Sequence, residues 1–255
     1  MENMTITPDL NQAPRPEKPK RMLSISKMDD GRTRVEINFS SLSLSNECLR
    51  KTQYLLAGYR SATEADATLF GKGIHKALEH WYCLPQHLRQ LTDVENNMAD
   101  ALIGQPLNEP SNPYETALDS INEFVKVCQP LRWLGDSDKR SINNGIKILK
   151  AYFKHYAEDG LEVFRDESGD PYLEKECEAV IHEDSEKVII LFGTIDVIFR
   201  NLITGSILPG DHKTTAALGD QFYKRVKPNH QYTAYIYLCQ EALGLDVSDF
   251  MVNGI

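Results

Sequence analysis

The feature that most constrains the fold is a change in hydrophobic pattern at Gly160. Before Gly160, apolar residues recur at helical spacing, as at Ile74 and Leu78 on one stripe. After it, the chain carries alternating or β-branched runs typical of strands, at Leu161–Phe164, Tyr172–His182, Lys187–Arg200 and Ser206–Lys213. A further helix over 229–243 and a closing strand over 250–255 complete the pattern. This order predicts an α/β (α+β) fold with an α-β-β-β-α-β core, in which helices flank a central mixed sheet of about four strands.

Composition sets the expected domain boundaries. Residues 1–35 are polar and contain several prolines, which predicts a flexible tail. Residues 36–255 are expected to form a single domain, because a chain of this length can bury one full hydrophobic core. Within that domain, residues 84–160 are predicted to form a helical insertion that opens with a long connection over 84–114.

The charge and the cysteines restrict the class of protein. The chain has 255 residues, a net charge of −9 and a pI near 5.3, which argues against a basic nucleic-acid coat or a basic membrane-surface protein. No apolar run approaches the ~20 residues that a membrane span requires, and the first residues carry no secretory signal pattern. Five scattered cysteines without a C-x-x-C motif predict free thiols in a reducing cytoplasm.

Two aspartates and a lysine fall at informative positions on neighbouring predicted strands. Asp196 lies inside the apolar run Phe192–Phe199, where an unpaired carboxylate would be costly. Asp211 and Lys213 are two residues apart, so their side chains share one face of the following strand. A hairpin through Asn201–Gly205 would bring Asp196 alongside them. Such a group can hold Mg²⁺ or Mn²⁺, which prefer oxygen ligands, polarise a phosphate and lower the pKa of a bound water.

The strand that carries Asp211 begins unusually, with Pro209 and Gly210 directly before the aspartate. Proline cannot donate to a sheet ladder and is usually confined to edge strands or bulges. The sequence therefore predicts a bend in this strand, with Asp211 displaced.

Five motifs in one order carry a resemblance to a known family. They are GKGIH at 71–75, EKE at 174–176, GTID at 193–196, DHKTT at 211–215 and QYTAY at 231–235. Together with the opening segment at 38–54, they resemble the RecB-type exonuclease branch of the PD-(D/E)XK nuclease superfamily, which also contains phage exonucleases and CRISPR-adaptation nucleases. The resemblance covers about 38–255 apart from the insertion, and it implies a restriction-endonuclease-like core.

The resemblance implies a metal centre with assigned roles. Its ligands would be the side chains of His75, Asp196 and Asp211 and the backbone carbonyl of His212. Lys213 would be the catalytic lysine. It would orient or deprotonate the attacking water, or stabilise the charge that develops on the phosphate. Without the other motifs, His75 would be interpreted as a packing or capping residue of an amphipathic helix.

Further residues complete the implied catalytic set. Gln231 and Tyr235 are four residues apart on one helical face and would hold Lys213, a phosphate or the attacking water. Glu176 would be an additional acidic group near the metal. Glu174 lies on the same face of the strand, and the choice between the two glutamates stays open.

The resemblance also bears on cofactors. Members of the CRISPR-adaptation branch hold an iron–sulfur cluster with one early cysteine and three late ones. Cys48 falls at the early position, but no cysteine triplet follows Cys239. The expected cofactor is therefore Mg²⁺ or Mn²⁺, and no iron–sulfur cluster is expected.

The implied function is a metal-dependent DNA nuclease, an exonuclease, in DNA recombination, repair or phage DNA processing. Its partners would be DNA and recombination or replication proteins, in a bacterial cytoplasm or in the host cytoplasm if a phage encodes it. DNA contacts are expected from five basic residues near the site: Arg50, Lys51, Lys224, Arg225 and Lys227. The alternative is that these residues only form a solvated basic surface. Two alternatives stay open: a catalytically inert nuclease-fold module for nucleic-acid binding or assembly, and a hydrolase of small phosphoesters.

Overall fold

The computed structural model describes residues 23–57, 59, 65–84, 89, 117–226 and 230–255, except for the side chains of Leu55, Leu56 and Arg225. Within these ranges, seven α-helices flank one mixed sheet of seven strands. The predicted mixed α/β class with a central sheet is confirmed, but the estimate of about four strands is too small.

The bounds of the elements are as follows. The helices are α1 (Phe39–Glu47), α2 (Leu49–Leu56), α3 (Asp66–Cys83), α4 (Ala117–Val127), α5 (Ile142–Tyr156), α6 (Asp220–Val226) and α7 (His230–Leu243), with a short 3₁₀ helix at Gln129–Leu131. The strands are β1 (Ser24–Lys27), β2 (Thr33–Ile37), β3 (Leu161–Val163), β4 (Leu173–Glu183), β5 (Lys187–Asn201), β6 (Ile207–Lys213) and β7 (Met251–Gly254).

Strand β5 organises the sheet. Its first part pairs in parallel with β2 on one edge and antiparallel with β4 on the other. Its last residues pair antiparallel with β3 and β6. Beyond β6 lies β7, in parallel, and beyond β2 lies β1, antiparallel. Because apolar cores cover β5 on both of its faces, it can be almost entirely apolar, which is the pattern that its sequence shows.

The sheet separates two apolar cores. On one face, α3, α4 and α5 form a core that includes Trp81 and receives Val197 from β5. On the other face, α7 contributes Leu238 to a second core that receives Ile195. Residues two apart on a strand ordinarily share a face. Ile195 and Val197 instead point to opposite cores. The regular alternation of β5 is therefore interrupted at Asp196, and this is the point where β5 changes its buried face.

The N-terminal hairpin of β1 and β2 corrects two predictions. It lies within the segment predicted as a tail, so that prediction is wrong for residues 23–35, while residues 1–22 lie outside the described residues. The hairpin and the three-residue β3 also account for the larger sheet. β1 is largely exposed, and β2 is held by pairing with the distant β5. β1 has a single apolar residue, and β2 shows only a short alternation, too brief to have predicted a strand.

The predicted helical insertion contains α4 and α5 in its described part, and residues 85–88 and 90–116 lie outside the description. Phe124 of α4 is buried where α4 meets α5. A Cβ added to Gly145 would overlap the Phe124 ring, so glycine is what allows the two helices to approach there. Among the described helices, none combines the length and the apolar character needed to cross a membrane.

Strand β6 keeps a regular register where the sequence predicts a bend. Pro209 pairs with Ile198 in the regular antiparallel register with β5. Ile198 directs its own N–H and C=O to the opposite edge, where they bond Tyr172 and Phe164. The pair of Ile198 and Pro209 is thus one that exchanges no hydrogen bonds, and the missing proline N–H costs nothing on that side. The expected displacement of Asp211 is therefore wrong.

Candidate metal centre

Helix α3 brings His75 to the sheet. The buried stripe of α3, with Ile74 and Leu78, packs on the first core and leaves His75 on the flank of the helix. His75 Nδ1 lies 3.3 Å from Asp196 Oδ2 on β5, and both side chains are partly buried. The start of the helix also lies close to the end of β6, since a Cβ on Gly71 would be 3.2 Å from Thr214 Oγ1. The helix flank and the strand end thus meet at one place.

Glu174 is the third acidic or imidazole group at this place. One ligand atom each from His75, Glu174 and Asp196 lies within 4.8 Å of the other two. The neighbours of Glu174 on β4 pair with the neighbours of Asp196 on β5, which sets the two carboxylates opposite each other. Glu174 has a φ of +45°, in the left-handed region that non-glycine residues seldom adopt. This irregularity lies beside the point where β5 changes its buried face.

The choice of Glu176 as the site acid is not the one that the structure favours. Glu176 pairs with Thr194, two residues before Asp196 on β5, and it is absent from the group formed by His75, Glu174 and Asp196. Regular alternation would have made the two glutamates equivalent in direction. The left-handed backbone at Glu174 breaks that alternation, and no sequence pattern signals it.

Strand β6 supplies the remaining charged groups. Its register with β5, in which Gly210 faces Val197, sets Asp211 beside Asp196. The His212 backbone N–H donates to Asp196 Oδ2 at 2.9 Å. Lys213 Nζ lies 2.8 Å from Asp211 Oδ1 and 2.7 Å from Oδ2. The predicted convergence of Asp196, Asp211 and Lys213 across the hairpin is confirmed.

The electrostatics of the site are those of crowded carboxylates. Burial, followed by the charge of Asp196, raises the pKa of Asp211 to about 7, although Lys213 opposes the shift. The Asp211 side chain is 3% exposed, whereas that of Lys213 is 39% exposed. Burial lowers the pKa of His212 to about 3, so its imidazole is neutral at physiological pH. A cation at this place would relieve the repulsion between the carboxylates.

Helix α7 approaches the same group from the other face of the sheet. Gln231 Nε2 donates to Tyr235 Oη at 3.0 Å, so these two predicted residues do lie together. The Tyr235 ring packs over Gly193, where a Cβ would be 3.0 Å from the ring. Burial raises the pKa of Tyr235 to about 12, and the charges of Asp211 and Asp196 add to the shift. The phenol is therefore protonated near the carboxylates.

A small cavity opens between α3 and the sheet. Its lining consists of His75, Leu78, Glu79, Tyr82, Leu173, Glu174, Asp196, Val197 and His212. An imidazole nitrogen and several carboxylate oxygens at its wall form a donor set that suits Mn²⁺, and the oxygens suit Mg²⁺. His75, Glu174 and Asp196 therefore fit a divalent cation, whereas the predicted ligand Asp211 belongs neither to this group nor to the cavity lining.

The sequence did not predict the partners of the His212 ring. Asn253 Nδ2 lies 3.3 Å from His212 Nδ1 and also donates to Tyr152 Oη. Tyr152 Oη is 2.8 Å from Tyr82 Oη, and the Tyr82 ring stacks on His212 with centroids 5.7 Å apart. These residues come from α3, α5, β6 and β7, so only the fold brings them together.

The residues predicted to bind DNA are partly described. Arg50 and Lys51 are exposed on α2, and the Arg50 guanidinium lies 5.8 Å from the centre of the Tyr54 ring. Lys224 is exposed on α6. The side chain of Arg225 and all of Lys227 lie outside the described residues.

All five cysteines are free thiols, and three of them, Cys128, Cys177 and Cys239, are buried.

Comparison with known proteins adds no assignment. No family model matches the sequence. No curated protein matches it either. A functional interpretation therefore depends on the geometry of the site and on the motifs in the sequence.

Proposed function

We propose that the protein is a divalent-metal-dependent phosphodiesterase that hydrolyses DNA from strand ends. The observation that carries the proposal is the meeting of Asp196, Asp211 and Lys213 from β5 and β6 with His75 from α3. Carboxylates and a lysine at adjoining strand ends are the groups that metal-assisted phosphodiester hydrolysis requires. The five ordered motifs that resemble PD-(D/E)XK nucleases support the same function, with the restriction-endonuclease-like core as part of the proposal.

The metal would be held by His75, Glu174, Asp196 and Asp211, and the His212 carbonyl is the further ligand that the resemblance implies. When bound, Mg²⁺ or Mn²⁺ would polarise a phosphate oxygen and lower the pKa of a coordinated water. The chain prepares this site by donating the His212 backbone N–H to Asp196, which fixes the direction of that carboxylate.

Lys213 and Tyr235 would act on the phosphate and the water. Asp211 holds the Lys213 ammonium beside the carboxylates, and the partial exposure of Lys213 leaves it accessible to a substrate phosphate. In that position it would stabilise the negative charge that develops in the transition state. Gln231 donates to the Tyr235 oxygen, so the phenol keeps its own proton to donate to a phosphate oxygen or a water.

DNA would be held by local cations rather than by the net charge. The chain as a whole carries −9, but part of that charge belongs to the carboxylates of the proposed site. The exposed Arg50 and Lys51 on α2 and Lys224 on α6 are available for phosphates. Binding through such contacts should weaken as salt rises, because each phosphate contact releases counterions.

Nuclease assays with matched variants test the proposal. Linear end-labelled DNA should be degraded in Mg²⁺ or Mn²⁺ while circular DNA is spared. Asp211→Asn and Lys213→Met should lower kcat by about 100-fold or more. Asp249→Asn and Lys187→Met, which change exposed residues of the same types, should keep the wild-type rate. Equal activity of Lys213→Met and wild type would show that the assigned site is wrong.

Two other outcomes would favour the alternatives. Protein that binds Mn²⁺ and DNA without hydrolysing DNA would indicate an inert nucleic-acid-binding or assembly module. Hydrolysis of a small chromogenic phosphodiester, with no inhibition by DNA, would indicate a small-phosphoester hydrolase. Cleavage of circular DNA would retain the metal-dependent chemistry and reject only the preference for ends.

A further inference from the structure

A buried chain of polar groups ends on the residue between Asp211 and Lys213. It runs from Tyr82 Oη to Tyr152 Oη, from there to Asn253 Nδ2, and then to His212 Nδ1. All four side chains are buried. Buried polar groups are costly unless they are paired, so such a chain constrains each of its members.

The chain determines which nitrogen of His212 carries the proton. Asn253 Nδ2 can only donate, and it donates both to Tyr152 Oη and to His212 Nδ1. His212 Nδ1 is thus an acceptor, and the ring proton lies on Nε2. His212 also lines the cavity that contains His75, Glu174 and Asp196.

The same residue is tied to the candidate metal centre by its backbone. Asn253 is the direct neighbour of His212 in the parallel pairing of β6 with β7. The backbone N–H of His212 donates to Asp196 Oδ2. An interaction that fixes the His212 ring therefore also limits rotation of the peptide group that orients Asp196.

We propose that Asn253 and Tyr152 are positioning residues of the metal centre, which hold His212 in its Nε2–H form and thereby fix the Asp196 carboxylate. The inference rests on the proposed function, because it requires a cation at Asp196. The charged groups of the site lie on α3, β4, β5 and β6. The inference adds two further elements to the site: α5, which lies within the insertion, and β7. Groups that orient metal ligands typically affect metal affinity by about 10- to 100-fold when they are removed.

The first test needs neither metal nor activity. The ¹⁵N shifts of the His212 imidazole should show the Nε2–H form in the wild-type protein. In Asn253→Asp, where a carboxylate acceptor replaces the amide donor, the proton should move to Nδ1. An Nδ1–H form in the wild-type protein would overturn the inference.

The second test compares Mn²⁺ affinities by calorimetry. Asn253→Ala should weaken binding by about 10-fold or more, and Tyr152→Phe should weaken it less, because the bond from Asn253 to His212 stays. Tyr156→Phe removes a neighbouring phenolic hydroxyl on α5 and is the matched control, with no expected change. Thermal unfolding of each variant establishes that it is folded.

The outcomes separate the two proposals. Wild-type affinity in Asn253→Ala overturns the positioning role and leaves the proposed function intact. Should Asn253→Ala not fold, wild-type affinity in Tyr152→Phe does the same. Absence of Mn²⁺ binding to the wild-type protein overturns the metal centre, and this inference with it.

Discussion

Replacing Asp211 by asparagine should change how the stability of the metal-free protein depends on pH. The Asp211 side chain is 3% exposed, and burial beside Asp196 raises its pKa from 3.8 to about 7. A carboxyl group with a raised pKa binds its proton more tightly in the folded chain than in the unfolded one. Its contribution to stability is therefore complete below about pH 4 and is lost as the pH rises through 7.

The size of the effect follows from the shift. Each pKa unit corresponds to about 1.4 kcal/mol, and the shift of Asp211 is roughly three units, which gives a ceiling of about 4 kcal/mol. The free energy of unfolding of the wild type, minus that of Asp211→Asn, should fall by up to this amount between about pH 4 and pH 7. The difference is needed because buried His212, with its pKa lowered to about 3, makes wild-type stability rise with pH over part of the same range.

Urea unfolding in EDTA, followed by tryptophan fluorescence, measures this difference, with buried Trp81 as a probe of the first core. The ion pair with Lys213 forms only when Asp211 is ionised, so its effect is already contained in the pKa of Asp211, and the slope of the difference with pH is the informative quantity. Asp249→Asn, at an exposed aspartate, should follow the wild-type pH profile. A wild-type-minus-Asp211→Asn difference that stays constant with pH would refute the reasoning.

Two further predictions concern the acidic group and the helical core. Glu174→Gln should weaken Mn²⁺ binding by about 10-fold in calorimetry, because Glu174 lies with His75 and Asp196. Glu176→Gln, the control, should leave the affinity unchanged. Equal effects of the two substitutions would contradict this geometry. Gly145→Ala should lower the free energy of unfolding by about 1–3 kcal/mol in urea titrations, because the methyl group overlaps Phe124. Gly135→Ala meets no atom within 4 Å and is its control; equal stability of the two variants would show that the helices can adjust.

Local patterns were enough to predict that Asp196, Asp211 and Lys213 lie together. Asp196 and Asp211 lie on strands joined by a short turn, so pairing in sequence order places them side by side. Lys213 follows from the two-residue repeat of a strand, so these three residues depend on interactions within one hairpin. His75 was assigned to the site only through the family resemblance, because its place on the flank of a periodic helix fits a packing residue as well, and its contact with Asp196 joins distant parts of the chain.

What the sequence could not predict depends on distant contacts or on backbone irregularity. β2 has only the short alternation of Val35 and Ile37 and is held by β5, about 150 residues further along the chain. Glu174 is distinguished from Glu176 only by a left-handed backbone conformation. Asn253 and Tyr152 are linked to His212 by hydrogen bonds between distant parts of the chain. In each case the decisive interaction joins residues that no local period relates.

The place where β5 changes its buried face explains how such a site can exist in an apolar sheet. Ile195 enters the core under α7 and Val197 the core under α3, so between them neither core has to take up the Asp196 side chain. A polar residue at that step avoids the cost of displacing an apolar one, provided that it is hydrogen-bonded, and Asp196 accepts from the His212 N–H. The same step is accessible from both layers, to His75 on α3 and to Tyr235 on α7. A strand of uniform alternation would direct the Asp196 side chain to one layer alone, whereas here groups of both layers lie near it.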